Sequence, residues 1–339
     1  MSTATTRSGH WARSLLRWEV FLAAVLIGDL VINSLISPYF LDPLTLSDAT
    51  FNFTEKALIA LPMALLIICR EIDVSVAGTL ALCSVVMGLA AQHGMDTPAL
   101  ILLALGTGAA CGAINGLLVA VLRVPAIVAT IGTMSLFRGI AYGVLGDRVL
   151  KGYPATFTWL GQGYVYSVFS FELLLFALCA LLFGLYLHRT IHGRRLYALG
   201  SSPEAAAYSG VHVARYRFWL FVATGIASAV AAVLLTARLG STRPSIAQGW
   251  ELEVISMVIL GGVSVAGGRG SIAGVVLAAM LLGFVTFGLG LKNIPGIVMQ
   301  IVVGVLLIVV VAVPELARRL RNRFAPDTPI PGALAEPKS

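Results

Sequence analysis

Residues His188–Arg217 read HRTIHGRRLYALGSSPEAAAYSGVHVARYR, the longest polar interval in a chain that otherwise alternates apolar runs with short turns. Arg189, Arg194, Arg195, Arg215 and Arg217 stand in it against a single acid, Glu204, and a long hydrophobic segment lies on either side. When a helical membrane protein inserts, a basic loop of this kind stays in the cytoplasm. Its centre carries helix-start signals. Ser201 or Ser202 can cap the first amide groups, Pro203 suits the first helical position, and Glu204 falls in the positive first turn. Gly210 can end that helix, because glycine enters the left-handed conformation freely. The interval 189–217 therefore predicts a cytoplasmic loop holding a short helix of about two turns, built to touch a partner.

Working outward, 58% of the 339 residues are hydrophobic and 12% are charged. Many apolar runs reach or approach the roughly 20 residues that cross a bilayer as a helix. Strands of a membrane barrel would be shorter and would alternate. The fold class is all-α and polytopic. A formal charge of +7 does not point to nucleic acid here, since arginine and lysine cluster between spans and at the two ends. Cys69, Cys83, Cys111 and Cys179 all fall in apolar runs and read as small buried hydrophobes.

The runs predict about ten spans. A cytoplasmic segment, 1–19, precedes a first span over 20–36; it is not a secretory signal, because Asp29 interrupts it and no small-residue cleavage site follows. Further spans are expected at 57–69, 73–92, 98–122, 125–145 and 168–187. After the basic loop, others follow at 218–237, 252–266, 271–291 and 294–313. The membrane domain thus covers 20–314, and a proline-rich cytoplasmic tail, 315–339, is expected to be disordered. With both ends inside, 16 of the 23 basic residues lie on the cytoplasmic side, and the opposite orientation would invert that bias. The fifth span opens Pro125-Ala126-Ile127-Val128 and the tenth Pro295-Gly296-Ile297-Val298. Two five-helix halves inserted upside down to each other are an architecture of alternating access.

The chain has no GxxxxGK[ST] loop, no GxGxxG after a strand and no HExxH. It is therefore read as a mover of solutes, with no enzymatic centre, metal site or cofactor of its own. Asp73, Ser75, Thr130, Thr133, Ser135 and Arg138 form the candidate translocation set, since intramembrane polar groups face the protein interior and often mark a pathway. Each has a plainer reading: capping of the third span by Asp73 and Ser75, bonding of the hydroxyls to their own helix, and a structural ion pair or snorkelling for Arg138. Gly108, Gly112 and Gly116, at four-residue spacing, let a neighbouring helix approach closely. A secondary transporter driven by an ion gradient would keep carboxylates or histidines deep in its spans. Asp29 is the one candidate carboxylate and no histidine lies mid-span, which leaves that class the weaker alternative.

Glu204, Ala205, Ala206 and Gly210 reproduce the EAA-x3-G loop of bacterial ABC importer permeases. Around them GRRLYALGSSPEAAAYSGVHVARYR, together with REIDVSVAGTLAL at 70–82, PAIVATIGTMSLFRGIAY at 125–142 and ISMVILGGVSVAGGRGSIAGVV at 255–276, resembles the permeases of the ribose, rhamnose and autoinducer-2 importer group. The resemblance covers 35–314. It implies an inner-membrane subunit in which Pro203, Glu204, Ala205, Ala206 and Gly210 couple to a separate ABC ATPase that hydrolyses the ATP. It also implies a second permease, identical or different, and a periplasmic sugar-binding protein. The solute would be a monosaccharide, rhamnose or ribose-like, since 49–67 and 239–254 look most like the rhamnose branch; autoinducer-2 is the alternative. One departure stands out: Arg70 and Glu71 occupy positions where the family usually has a glycine pair.

Overall fold

The computed structural model describes residues 8–166, 168–299, 301–305, 308 and 312. Its elements are α1 (Ser8–Ile36), α2 (Pro43–Thr50), α3 (Thr54–Ile68), α4 (Val76–Gln92), α5 (Thr97–Gly116), α6 (Ala126–Leu145), β1 (Leu150–Lys151), α7 (Ala155–Gln162), β2 (Tyr164–Val165), β3 (Phe169–Ser170), α8 (Phe171–Arg189), α9 (Ile191–Ser201), α10 (Pro203–Tyr208), α11 (Val213–Leu239), β4 (Ser241–Thr242), α12 (Trp250–Leu260) and α13 (Ile272–Leu291). A π-helical turn, Leu117–Val121, continues α5. The strands are short clips: β1 pairs with β4 and β2 with β3, both antiparallel.

Helix α3 is apolar on every side and lies at the centre, with its residues from Ala57 to Ile68 all buried. A helix that is hydrophobic all round belongs inside a bundle. Against this core α11 packs with two-thirds of its span window buried, whereas α1 and α8 present most of theirs outward. Gly108, Gly112 and Gly116 face α11. A Cβ on Gly108 would lie 2.4 Å from the Gly225 carbonyl, and one on Gly112 would lie 2.4 Å from that of Phe221. The two helices therefore meet backbone to backbone, as small residues permit.

The expected ten spans are matched only in part by long apolar helices among the described residues. Among the described residues six helices are long and apolar enough to cross a membrane, or seven if α2 and α3, bent by 51°, count as one. The shortfall has a physical cause. The run expected at 73–92 begins its helix only at Val76, and that expected at 252–266 stops at Leu260, leaving α4 with 17 residues and α12 with 11. The rest of each expected run falls in unwound chain, within 69–75 and 261–271. Of the tenth expected span, 296–299 and 301–305 are helical, and most of the rest lies outside the described residues, as does the tail 315–339.

Candidate functional site

Two places concentrate polar chemistry. The first is the face formed by α9 and α10. Ser202 takes an extended conformation at the N-cap of α10, and its hydroxyl accepts from the Ala205 amide at 3.3 Å. Pro203 occupies the first turn, where its missing N–H costs nothing, and Glu204 complements the helix dipole there. At the other end Gly210 turns left-handed, with φ +83°. Its amide then reaches the Ala207 carbonyl at 3.0 Å and that of Val211 reaches Ala206 at 3.0 Å. The helix has six residues. Ala206 alone is buried; Glu204, Ala205 and Gly210 are exposed, and Tyr208 is 95% exposed. Such a segment is held at its ends and offers its sides to another molecule.

What it stands on comes from distant sequence. Arg70 adopts φ +65°, in the left-handed region that glycine enters readily. Its guanidinium supplies what glycine cannot, donating to the carbonyls of Gly200 at 2.6 Å and Ser201 at 2.8 Å. These carbonyls end α9, where a cation also meets the helix dipole favourably. Glu71 sits 2.8 Å from Arg217 near the start of α11, as a charge contact rather than an aligned hydrogen bond. Burial raises the Glu71 carboxyl above the usual range, and the Arg217 guanidinium pulls it back. The loop 261–271 closes the base: Gly268 donates to Ile68 at 2.9 Å, and Tyr197 donates to Gly270 at 2.7 Å. Burial, with Glu19 nearby, pushes the Tyr197 phenol up to about 12, which keeps that proton in place.

The second place is the interior beside the unwound segment 69–75. The Asp73 carboxylate accepts from the Ser75 amide at 2.9 Å, the Ser75 hydroxyl at 2.6 Å and Thr224 of α11 at 2.8 Å. Asn115 of α5 donates to the Ser75 hydroxyl at 2.7 Å and accepts from Thr133 of α6 at 2.7 Å. Thr130 donates to Ala126 in its own helix and lies 3.4 Å from the Ile72 carbonyl. All six side chains are buried. Irregular backbone survives in a membrane protein only where neighbours satisfy its polar groups, and this network does so for 72–75.

Arg138 does the same on a larger scale. From the second half of α6 its guanidinium donates to Ala77 at the start of α4 at 3.0 Å, and to Pro244 at 2.8 Å and Ile246 at 3.1 Å in the loop between β4 and α12. One side chain thus ties the start of α4 to the loop between β4 and α12. Ser135, on the same helix, faces outward and joins neither group. Of the candidate translocation set, then, Asp73, Ser75, Thr130 and Thr133 come together, Arg138 clamps nearby and Ser135 stands apart. Asn115 and Thr224 complete the network without having been singled out in the sequence; an Asn inside an apolar run was the available signal. No group of three His, Cys, Asp or Glu among the described residues could hold a metal ion.

A helical bundle whose chain unwinds between its helices, with a short exposed helix braced on one of the unwound segments, is an architecture suited to a transport permease. The profile of the family described as branched-chain amino acid transport system / permease component matches residues 46–311, and the chain belongs to this family. Among its relatives is the autoinducer 2 import system permease protein LsrD of Escherichia coli (strain K12), 38% identical over 87% of this chain and 91% of the relative. LsrD of Shigella flexneri matches to the same extent. No solved structure matches the chain.

Proposed function

We propose that the chain is the permease subunit of an ATP-binding cassette importer in the bacterial inner membrane, and that α10 is the element through which a separate ATPase drives it. The observation that carries the coupling role is the pairing of exposure with anchorage. Helix α10 presents Glu204 and Tyr208 to a partner, while Arg70, Glu71 and Tyr197 tie its base to the chain breaks at 69–75 and 261–271. A push on α10 then reaches unwound backbone, the part of a bundle that changes shape at least cost. Closure of the ATPase would shift the population between states open to either side.

The 38% identity to permeases named for autoinducer 2 import supports a small hydroxylated solute, with autoinducer-2 the first candidate and rhamnose or ribose the next. The two-half reading draws support from the breaks. A non-helical stretch follows each of two central helices, 69–75 after α3 and 240–249 after α11, and Arg138 joins the helix start just past the first to the second. The polar network around Asp73 is given a structural role, holding the first break, and the solute path is placed between this chain and a second permease.

Proteoliposomes carrying the permease, its ATPase and the binding protein test the reading. Uptake of autoinducer-2 should require ATP and survive an ionophore, and Glu204→Arg should lower uptake while leaving basal ATP hydrolysis intact. Uptake driven by a proton or sodium gradient without ATP would refute it. So would labelling of Ser209→Cys from outside intact cells, since α10 must then face away from the cytoplasm.

A further inference from the structure

A cavity of about 600 Å³ opens beside α10, between α8 and α11. That volume falls in the ~300–1,000 Å³ range of small-molecule sites. Its two ends differ sharply. Leu65, Leu182, Phe183 and Trp219 line the part that runs along the helices, and Arg195, Arg215, His192 and Tyr216 line the mouth. His192 of α9 meets the rings of both Tyr186, near the end of α8, and Tyr216, near the start of α11, so these two helix ends share the end of the cavity that bears α9. Leu182 and Trp219 are 55% and 61% exposed, which leaves an apolar slot open on its side toward lipid.

The mouth is built. His192 lies 2.9 Å from the Tyr216 hydroxyl, Arg195 donates to that hydroxyl at 3.3 Å, and His192 stacks parallel on Tyr186. Among the described residues no carboxylate forms an ion pair with Arg195 or Arg215, and no Asp or Glu lines the cavity. Two unneutralised guanidinium groups at one end of an apolar slot want an anion that carries a hydrocarbon chain. A sugar would find hydrogen-bonding groups only at the rim. A zwitterionic headgroup would bring a cation for which the lining holds no carboxylate. Basic pockets between membrane helices recognise anionic lipid headgroups by this arrangement.

We propose that this cavity is a binding site for an anionic phospholipid, its phosphate between Arg195 and Arg215 and an acyl chain along Leu182, Phe183 and Trp219. Gly210, the residue that terminates the α10 segment, sits on the rim, so a bound headgroup touches the segment that couples to the ATPase. Anionic lipid then stiffens α10 against the bundle. The site itself does not depend on which solute is carried, although its bearing on coupling rests on the proposed function.

The test uses the full chain purified in detergent and stripped of lipid. Native mass spectrometry and thermal melting are read with phosphatidylglycerol, with phosphatidylcholine of the same acyl chains, and with inorganic phosphate alone. Phosphatidylglycerol should be retained and should raise the melting temperature, whereas the other two should do neither. Arg195→Gln with Arg215→Gln should lower phosphatidylglycerol retention about tenfold, and Arg194→Gln, outside the cavity lining, should leave it unchanged. Equal retention of both lipids, a full shift with phosphate alone, or undiminished retention in the double variant overturns the proposal. If the double variant fails to fold, Trp219→Ala, which shortens the acyl slot and keeps the charges, must lower retention; unchanged retention then counts against the site. A loss that occurs only when the ATPase is present would assign the arginines to a protein contact instead. Unaltered binding together with defective uptake in Glu204→Arg keeps this site separate from the coupling role.

Discussion

Replacing Arg138 by methionine is the sharpest test of the interior. The guanidinium donates to three carbonyls, of Ala77, Pro244 and Ile246, at 2.8–3.1 Å, and they belong to two segments far apart in sequence. Methionine keeps an unbranched stem about as long as the arginine's methylene part and removes every donor. A buried acceptor left without a partner costs about 1–3 kcal/mol. Arg138 is only half-buried, so the lower part of that range applies and the three carbonyls together come to about 3–5 kcal/mol. At about 2 °C per kcal/mol for a large domain, Arg138→Met should melt about 6–10 °C below the parent in a detergent thermal scan. Lysine places its charge at one point rather than in a fork, keeps part of the bonding and should fall between the two. A cysteine at Ile246, which is buried in the loop, reports the geometry directly, since it should label faster in the methionine variant. If Arg138→Met melts within about 1 °C of the parent and labelling is unchanged, the guanidinium does not hold the start of α4 against the loop between β4 and α12.

Three further outcomes follow from named contacts. Gly112→Val places carbon where Phe221 already lies, must part α5 from α11, and should cost about 1–3 kcal/mol by thermal melting; Gly106→Val, with open space around it, should be close to neutral. At Arg70, glycine and alanine both lose the bonds to Gly200 and Ser201, but alanine also retains the left-handed backbone cost; Arg70→Gly should therefore be more stable than Arg70→Ala by about 1 kcal/mol, and the reverse order would refute a left-handed requirement there. Ser202→Ala removes the cap of α10 and should weaken it by about 1 kcal/mol, read as faster hydrogen exchange at the Ala205 amide with little change in global melting.

The short helix was legible because its signals are local. Ser202, Pro203, Glu204 and Gly210 act within a few residues of themselves, through a hydroxyl, a fixed φ, a charge and a permitted left-handed turn. The glycines of α5 were legible for a related reason: their spacing marks one side of a helix whatever packs there. The polar set was legible only in part. Thr133 and Asp73 stood out as polar residues in apolar surroundings, yet nothing near Asn115 or Thr224 in the chain says that they meet across three helices.

Hydropathy is a property of composition, and so the amino-acid order alone settled that this is a helical membrane protein with a capped, basic loop. It could not settle where apolar chain stops being helix. At 69–75 and 261–271 the chain is unwound between helices, and carbonyls there find donors in Thr130 and Tyr197 rather than in their own helix. Those donors come from other segments, and only the assembled bundle brings them within reach.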